Sequence, residues 1–214
     1  MAIGALILSA VCALIYLEGF LAKPPSVLRS VFKTAPVALL AGLAWLDLPW
    51  FLALGLTLGA LGDLALSRDG ERAFLAGLVS FALAHLAYVA QFLSQQGGVD
   101  PVVMPVNTLP VTVGIVLFAG GMAWKLWPAT GALRMPVMGY IAIIAAMGFS
   151  AMPLGWQFLA PAMIFMVSDA ILATELFLMR KDHSLRVMAS RMVWITYYAA
   201  QLLFVITYLV PVIG

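Results

Sequence analysis

Residues Trp50 to Ser67 read WFLALGLTLGALGDLALS, an apolar run carrying a single charge, Asp63. A helix needs roughly 20 predominantly apolar residues to cross the hydrocarbon core of a bilayer, so this run is near the length of a membrane span. It ends between Asp47 and Arg68, and the same pattern repeats outward from it in both directions. Apolar runs between charged or Pro/Gly breaks fall at Ala2–Leu21, Val31–Leu46, Trp50–Ser67, Ala73–Ser94, Val106–Leu126, Met135–Met152, Gly155–Met179 and Ser190–Val212. The second, third and sixth are short for a crossing. The runs are too long and too uniformly apolar for barrel strands, which alternate over roughly ten residues. The first has no basic region ahead of it and no small-residue cleavage site after it, and is expected to be a retained span.

Composition points the same way. Of 214 residues, 64% are hydrophobic and 9% charged, against roughly 25% charged in an average soluble domain. Eleven basic and nine acidic side chains cannot solvate the surface of a soluble globule of this size. A soluble enzyme, a disordered chain and a nucleic-acid binder are excluded on this ground. Cys12 is the single cysteine, so no disulfide framework or thiolate cluster is possible. His85 lies in an apolar run and His183 in a charged loop, a pattern that suggests neither a metal site nor a cofactor.

Charge placement tests the span count independently. With eight spans, the loops after the odd-numbered spans hold Lys23, Arg29 and Lys33, then Arg68 and Arg72, then Lys125 and Arg134, then Arg180, Lys181, Arg186 and Arg191, which is every Lys and Arg in the chain. The other loops hold only Asp47 and Asp100. Basic residues mark the cytoplasmic side. The expectation is an all-α, polytopic bundle of eight transmembrane helices, one domain over residues 1–214, with both termini extracytoplasmic. A multi-pass protein of a bacterial inner membrane fits this pattern. No loop is long enough for a soluble domain, so any chemistry belongs inside the bundle or at its cytoplasmic mouth.

Carboxylates inside spans are costly and are functional candidates. Asp63 stands in Leu61-Gly62-Asp63-Leu64 of the third span and Asp169 in Val167-Ser168-Asp169-Ala170 of the seventh. By helical rise they lie about 7 Å and about 16 Å from the inner end. Gly55, Gly59 and Gly62 share a stripe with Asp63; small residues at that spacing let helices approach closely, which turns Asp63 away from lipid. In the fourth span Gly77, Phe81, His85 and Tyr88 fall within about 80° of arc. The eighth holds Tyr197, Tyr198 and Gln201. The first carries Tyr16, a candidate interfacial anchor, and Glu18, expected to be solvated. Lys33, at the start of the second span, could face a lipid phosphate or snorkel toward the inner leaflet.

Taken together, these residues resemble the YhhN-like membrane family, whose characterised members are lysoplasmalogenases. The resemblance rests on Val31-Phe32-Lys33 with Pro36, on Leu61-Gly62-Asp63, on Gly77, Phe81, His85 and Tyr88, on Phe165, Ser168 and Asp169, and on Tyr197, Tyr198 and Gln201. Two positions depart from it. Thr34 follows Lys33 where a proline is often seen. Pro161 stands where glycine is usual, and predicts a kink in the seventh helix. The resemblance implies hydrolysis of the vinyl-ether bond of a lysoplasmalogen, or a related lysophospholipid, to a fatty aldehyde and a glycerophospho-ethanolamine or -choline.

That chemistry suits the residues. A vinyl ether yields to acid: protonation of the carbon beta to oxygen gives an oxocarbenium ion, water adds, and the hemiacetal collapses. The reaction needs an acid still protonated near neutral pH, and burial of a carboxyl is the physical means of keeping its proton. Paired-carboxylate glycoside hydrolysis passes through a similar cation. Asp63 and Asp169 are therefore assigned jointly as acid and base, with the order left open. Ser168, His85, Tyr88, Tyr197, Tyr198 and Gln201 would orient water or hold the leaving oxygen and substrate. Lys33, then Arg191, would meet the phosphate. The alternatives are a proton-coupled small-molecule transporter, a lipid-binding module without turnover, and an intramembrane aspartyl protease. No convincing internal repeat supports the first, and Gly59-Ala60-Leu61-Gly62-Asp63 lacks the Gly-x-Gly-Asp spacing of the last.

Overall fold

A computed structural model of the chain describes residues 2–96, 107–180 and 182–213. Asp100, Lys181 and the start of the fifth run at Val106 lie outside the described residues. Regular structure among the described residues is helical throughout. Helix α1 (Ala2–Ile15) runs on into a π-helical turn (Tyr16–Phe20), followed by α2 (Val27–Asp47), α3 (Trp50–Leu66), α4 (Glu71–Gln95) and α5 (Thr108–Leu126). A 3₁₀ turn (Gly131–Leu133) leads into α6 (Arg134–Ala151), another (Met152–Leu154) into α7 (Trp156–Phe177), and α8 (Arg186–Ile213) closes the chain. Every apolar run of the sequence became one helix. Seven of the helical segments are long and apolar enough to cross a membrane; α3, at 17 residues, is the shorter eighth. Its rise of about 25 Å lies at the lower limit for a crossing.

The largest boundary differences fall where a charge was read as a break. Helix α2 begins a full turn before Val31. Ser26, extended at φ −154° and ψ 164°, caps it by accepting a hydrogen bond from the Arg29 amide at 3.1 Å, and Arg29 thereby becomes a helical residue. Helix α8 likewise starts a turn before Ser190, at Arg186. The proline expected to kink the seventh helix sits inside it, and α7 remains one element from Trp156 to Phe177. Gly155, at φ 95°, makes the turn that joins the 3₁₀ segment to α7, a conformation that a β-carbon disfavours.

The described chain falls into two compact units, Met1–Gln91 with Gln201–Gly214, and Phe92–Ala200, so that the division lies within α4 and α8. In the first unit α2 lies against both α1 and α3. Val37, Leu40, Ala44, Leu52, Ala53 and Leu56 form its buried centre. Polar side chains tie the helices by donating across them: Ser9 to the Pro36 carbonyl at 2.8 Å, Trp45 Nε1 to Thr57 at 3.0 Å, and Ser80 to the Leu58 carbonyl at 2.7 Å. Helices α3 and α4 meet at glycine. A β-carbon on Gly62 would come within 2.7 Å of the Phe81 ring, one on Gly77 within 2.6 Å of Leu66, and one on Gly55 would strike the Tyr88 ring.

In the second unit α6 lies against α5 and α7. Met147, Ala151, Leu159, Ala162 and Phe165 are buried there. Phe92 meets Phe158 edge to face at 6.0 Å, and Gln96 donates to the Ser150 carbonyl at 3.2 Å. Both units expose large apolar side chains, among them Ile3, Leu61, Leu64, Val116, Leu117 and Trp124. Apolar exposure on this scale is untenable in water and normal in hydrocarbon.

Candidate active site

Asp63 is 2% exposed. On the same helix the bare backbone at Gly55 and Gly62 admits the Tyr88 and Phe81 rings of α4. The α3 helix ends at Leu66, so Asp63 lies about one turn inside its terminus. Lys33, half-buried on α2, interacts electrostatically with Asp63 and with Arg29. Tyr16, in the π-helical turn, interacts with Arg29 and Asp63 as well. The Arg29 guanidinium carbon stands 6.0 Å from the centroid of the Tyr16 ring. Tyr16 is therefore part of this cluster, 3% exposed, and not the interfacial anchor the sequence suggested. Glu18 is exposed, as expected.

Hydrogen bonds fix the same end of the unit. Arg29 Nη1 donates to the Ser67 carbonyl at 3.2 Å, and the hydroxyls of Ser67 and Ser30 are 2.7 Å apart. Arg29 Nε is buried with no hydrogen-bond partner among the described residues, and so is the Thr34 hydroxyl. Leaving a buried donor unsatisfied costs about 1–3 kcal/mol.

On α4, His85 and Tyr88 are fully buried. His85 Nδ1 bonds the Phe81 carbonyl at 2.6 Å. Because a carbonyl only accepts, the proton is on Nδ1, and in the neutral ring Nε2 carries the lone pair. Tyr88 donates to Gln201 Oε1 at 2.5 Å and stacks at a tilt on Phe204 at 5.0 Å. Gln201 is fully buried and its Nε2 has no partner among the described residues. This side chain thus has its acceptor fixed by Tyr88 and its amide donors available.

In the second unit Asp169 is half-buried on α7, about two turns short of that helix's end, and accepts a hydrogen bond from Tyr140 of α6 at 3.1 Å. Ser168 donates to the Val193 carbonyl at 3.0 Å, so its proton ties α7 to α8. Tyr197 packs edge to face on Phe165 at 5.4 Å, and Tyr198 stacks on Trp194 at 6.3 Å. Arg191 is half-buried on α8.

Sequence reading passed over three residues. Arg29 was counted as a loop charge, although its place one turn before Lys33 was visible. Tyr140 gave no signal, since a tyrosine within an apolar run is unremarkable until its partner is known. Glu175 was hidden among the charges near the end of the seventh span. It is buried and ion-paired: Arg186 Nη2 is 3.5 Å from Oε1, Ser190 donates to Oε1 at 2.8 Å, and Arg186 Nη1 donates to the carbonyls of Glu175 and Met179 at 2.7 and 3.1 Å. These contacts form a clasp between the end of α7 and the start of α8.

Apolar helices with buried polar clusters between them define a polytopic helical membrane protein. Residues 28–208 match the YhhN family, and the chain belongs to that family. It is 28% identical to lysoplasmalogenase TMEM86B of Mus musculus over 201 residues, covering 92% of this chain and 82% of the relative. It is 30% identical to lysoplasmalogenase TMEM86B of Homo sapiens over 181 residues, covering 81% and 72%. Against lysoplasmalogenase TMEM86A of Bos taurus it is 32% identical over 161 residues, covering 70% and 61%. No solved structure matches the chain.

Proposed function

We propose that this chain is a lysoplasmalogenase-like integral membrane hydrolase that cleaves the vinyl-ether bond of a lysoplasmalogen, with Asp63 and Asp169 as acid and base. The observation that carries the reading is the buried carboxylate of Asp63 beside Lys33, in a family whose relatives bear the lysoplasmalogenase name. The chemistry balances without a cofactor. One carboxyl gives its proton to the alkene carbon beta to oxygen. The oxocarbenium ion is stabilised by carboxylate charge. Water adds to the cationic carbon and gives its proton to the carboxylate. The hemiacetal then loses its glycerol oxygen as an alcohol, leaving fatty aldehyde and glycerophospho-ethanolamine or -choline.

Lys33 meets the phosphate, with Arg191 as a second cation. Gln201, oriented by Tyr88, and His85, through Nε2, hold substrate oxygen or water, and Ser168, Tyr197 and Tyr198 shape the second carboxyl's surroundings. The segregation of Lys and Arg supports odd loops on the cytoplasmic side, and the proposed location is a bacterial inner membrane. The test is aldehyde release, read by mass spectrometry, from a lysoplasmalogen supplied to the purified protein in detergent. An ester-linked lysophospholipid serves as control. Aldehyde is expected from the vinyl ether. Its absence, with lipid still bound, would favour a non-catalytic lipid-binding module.

A further inference from the structure

Helix α5 ends in Ala123-Trp124-Lys125-Leu126, and the turn after it begins Trp127-Pro128. Ala123, Trp124, Lys125, Trp127 and Pro128 line a cavity of about 600 Å³, mostly apolar in its walls. Ligand sites span roughly 300–1,000 Å³. Helix α5 is long and apolar enough to cross a membrane, so its last turn lies where hydrocarbon gives way to lipid headgroups. Hydrogen bonds hold the walls in place. The Trp127 amide donates to the Ala123 carbonyl at 2.9 Å, and the amide and hydroxyl of Thr130 donate to the Leu126 carbonyl at 3.1 and 3.0 Å. Arg134 Nε donates to the Trp127 carbonyl at 2.9 Å, and its guanidinium carbon stands 4.7 Å from the centroid of the Trp127 ring.

The polar side-chain groups at this cavity are all donors. A lysine ammonium and an indole N–H donate hydrogen bonds and accept none. Lys125 is exposed, and Trp124 and Trp127 are 78% and 48% exposed. Among the described residues none of these side-chain N–H groups meets a protein acceptor. The chain carries no carboxylate side chain between Asn107 and Ser168. Asp169, Glu175 and Asp182 of the same unit are engaged by Tyr140, Arg186 and Arg180. A zwitterionic headgroup could set its phosphate on these donors, but its ammonium would find no carboxylate. A headgroup of net negative charge meets no such loss. We propose that the cavity at the α5–α6 turn binds the headgroup of an anionic phospholipid from the adjoining leaflet. Its phosphodiester takes the Lys125 ammonium and the indole N–H groups, its glycerol and first acyl carbons lie against Trp124, Trp127 and Pro128, and Arg134 holds Trp127 in position. This site goes beyond the hydrolase reading and does not depend on it.

The experiment titrates the full chain in a neutral detergent with phosphatidylglycerol or with phosphatidylcholine of the same acyl chains, and follows Tm. Phosphatidylglycerol should raise Tm of the wild type at a lower mole fraction than phosphatidylcholine. Lys125→Gln should raise the half-saturating fraction of phosphatidylglycerol by about tenfold, as expected for the loss of one charge-assisted hydrogen bond. Trp124→Phe, which keeps a ring and loses the N–H, should raise it by about threefold. Arg72→Gln removes an exposed charge from the other unit and should leave the titration unchanged. Equal responses to the two lipids would reduce Trp124 and Trp127 to interfacial anchors and overturn the site. So would an equal loss in Arg72→Gln, which would assign the preference to net charge. An equal rise from inorganic phosphate, no rise from either lipid, or an unchanged titration in Lys125→Gln would overturn it as well.

Discussion

The Tyr88 hydroxyl donates a hydrogen bond of 2.5 Å to the side-chain carbonyl of Gln201, joining α4 to α8 across 113 positions of sequence. Both side chains are fully buried. Tyr88→Phe removes the donor and leaves the whole Gln201 amide without a partner in an apolar interior. Such a loss costs about 1–3 kcal/mol, so Tm in detergent should fall measurably while the helical content at low temperature stays unchanged. No drop in Tm would mean that another donor reaches the Gln201 oxygen.

The glycine stripe gives a graded prediction. A β-carbon on Gly55 strikes the Tyr88 ring and one on Gly62 meets the Phe81 ring at 2.7 Å, whereas one on Gly42 meets nothing within 4 Å. Aromatic rings held between helices cannot swing aside as a flexible side-chain end can. Gly55→Ala and Gly62→Ala should therefore each cost about 1–3 kcal/mol through overpacking. Gly42→Ala should be neutral or slightly stabilising, since alanine is the better helix former. Equal Tm values for the three variants would contradict the close approach of α3 and α4.

Much of this was legible in the sequence, for a physical reason. In lipid every backbone polar group must be satisfied within its own segment, so each apolar run is obliged to be one helix and the runs could be read directly. The stripe of Gly55, Gly59 and Gly62 placed Asp63 inward for the same kind of reason, because spacing along a helix fixes which residues share a face. What could not be read were choices made by partners distant in the chain. Arg29 looked like a loop charge because its contacts, Tyr16 and Ser67, come from other helices. The start of α2 depended on whether Ser26 would cap, and the role of Tyr140 on which residue of α7 would face it. Glu175 and Asp169 are both carboxylates in one span; only the ion pair with Arg186 distinguishes them.

That distinction is testable. Glu175 is paired with Arg186 and Ser190 within a clasp that joins α7 to α8. Glu175→Gln should destabilise the protein, by about 1–3 kcal/mol, because it leaves the partly buried Arg186 uncompensated. Aldehyde release per folded molecule should stay within about threefold of wild type, since on this account the residue gives no proton to substrate. A loss of turnover of a hundredfold or more with unaltered Tm would move Glu175 into the chemistry.

Tyr140 should behave in the opposite way. Its hydrogen bond to Asp169 at 3.1 Å orients that carboxyl from α6. Tyr140→Phe should lower kcat by about tenfold with little change in KM, as expected for a group that positions a reacting residue and does not touch the lipid. A rise in KM at constant kcat would instead assign Tyr140 to substrate binding.

The central claim is that Asp63 and Asp169 carry the proton transfers of vinyl-ether cleavage. The most direct measurement is the rate of fatty-aldehyde release from a lysoplasmalogen by purified Asp63→Asn and Asp169→Asn, with lysolipid binding and Tm recorded on the same samples. The account predicts that each variant folds and binds lipid, and that each loses turnover by at least about a hundredfold, the lower range for removal of an acid or base. Wild-type turnover in either variant would contradict it and remove that aspartate from the reaction.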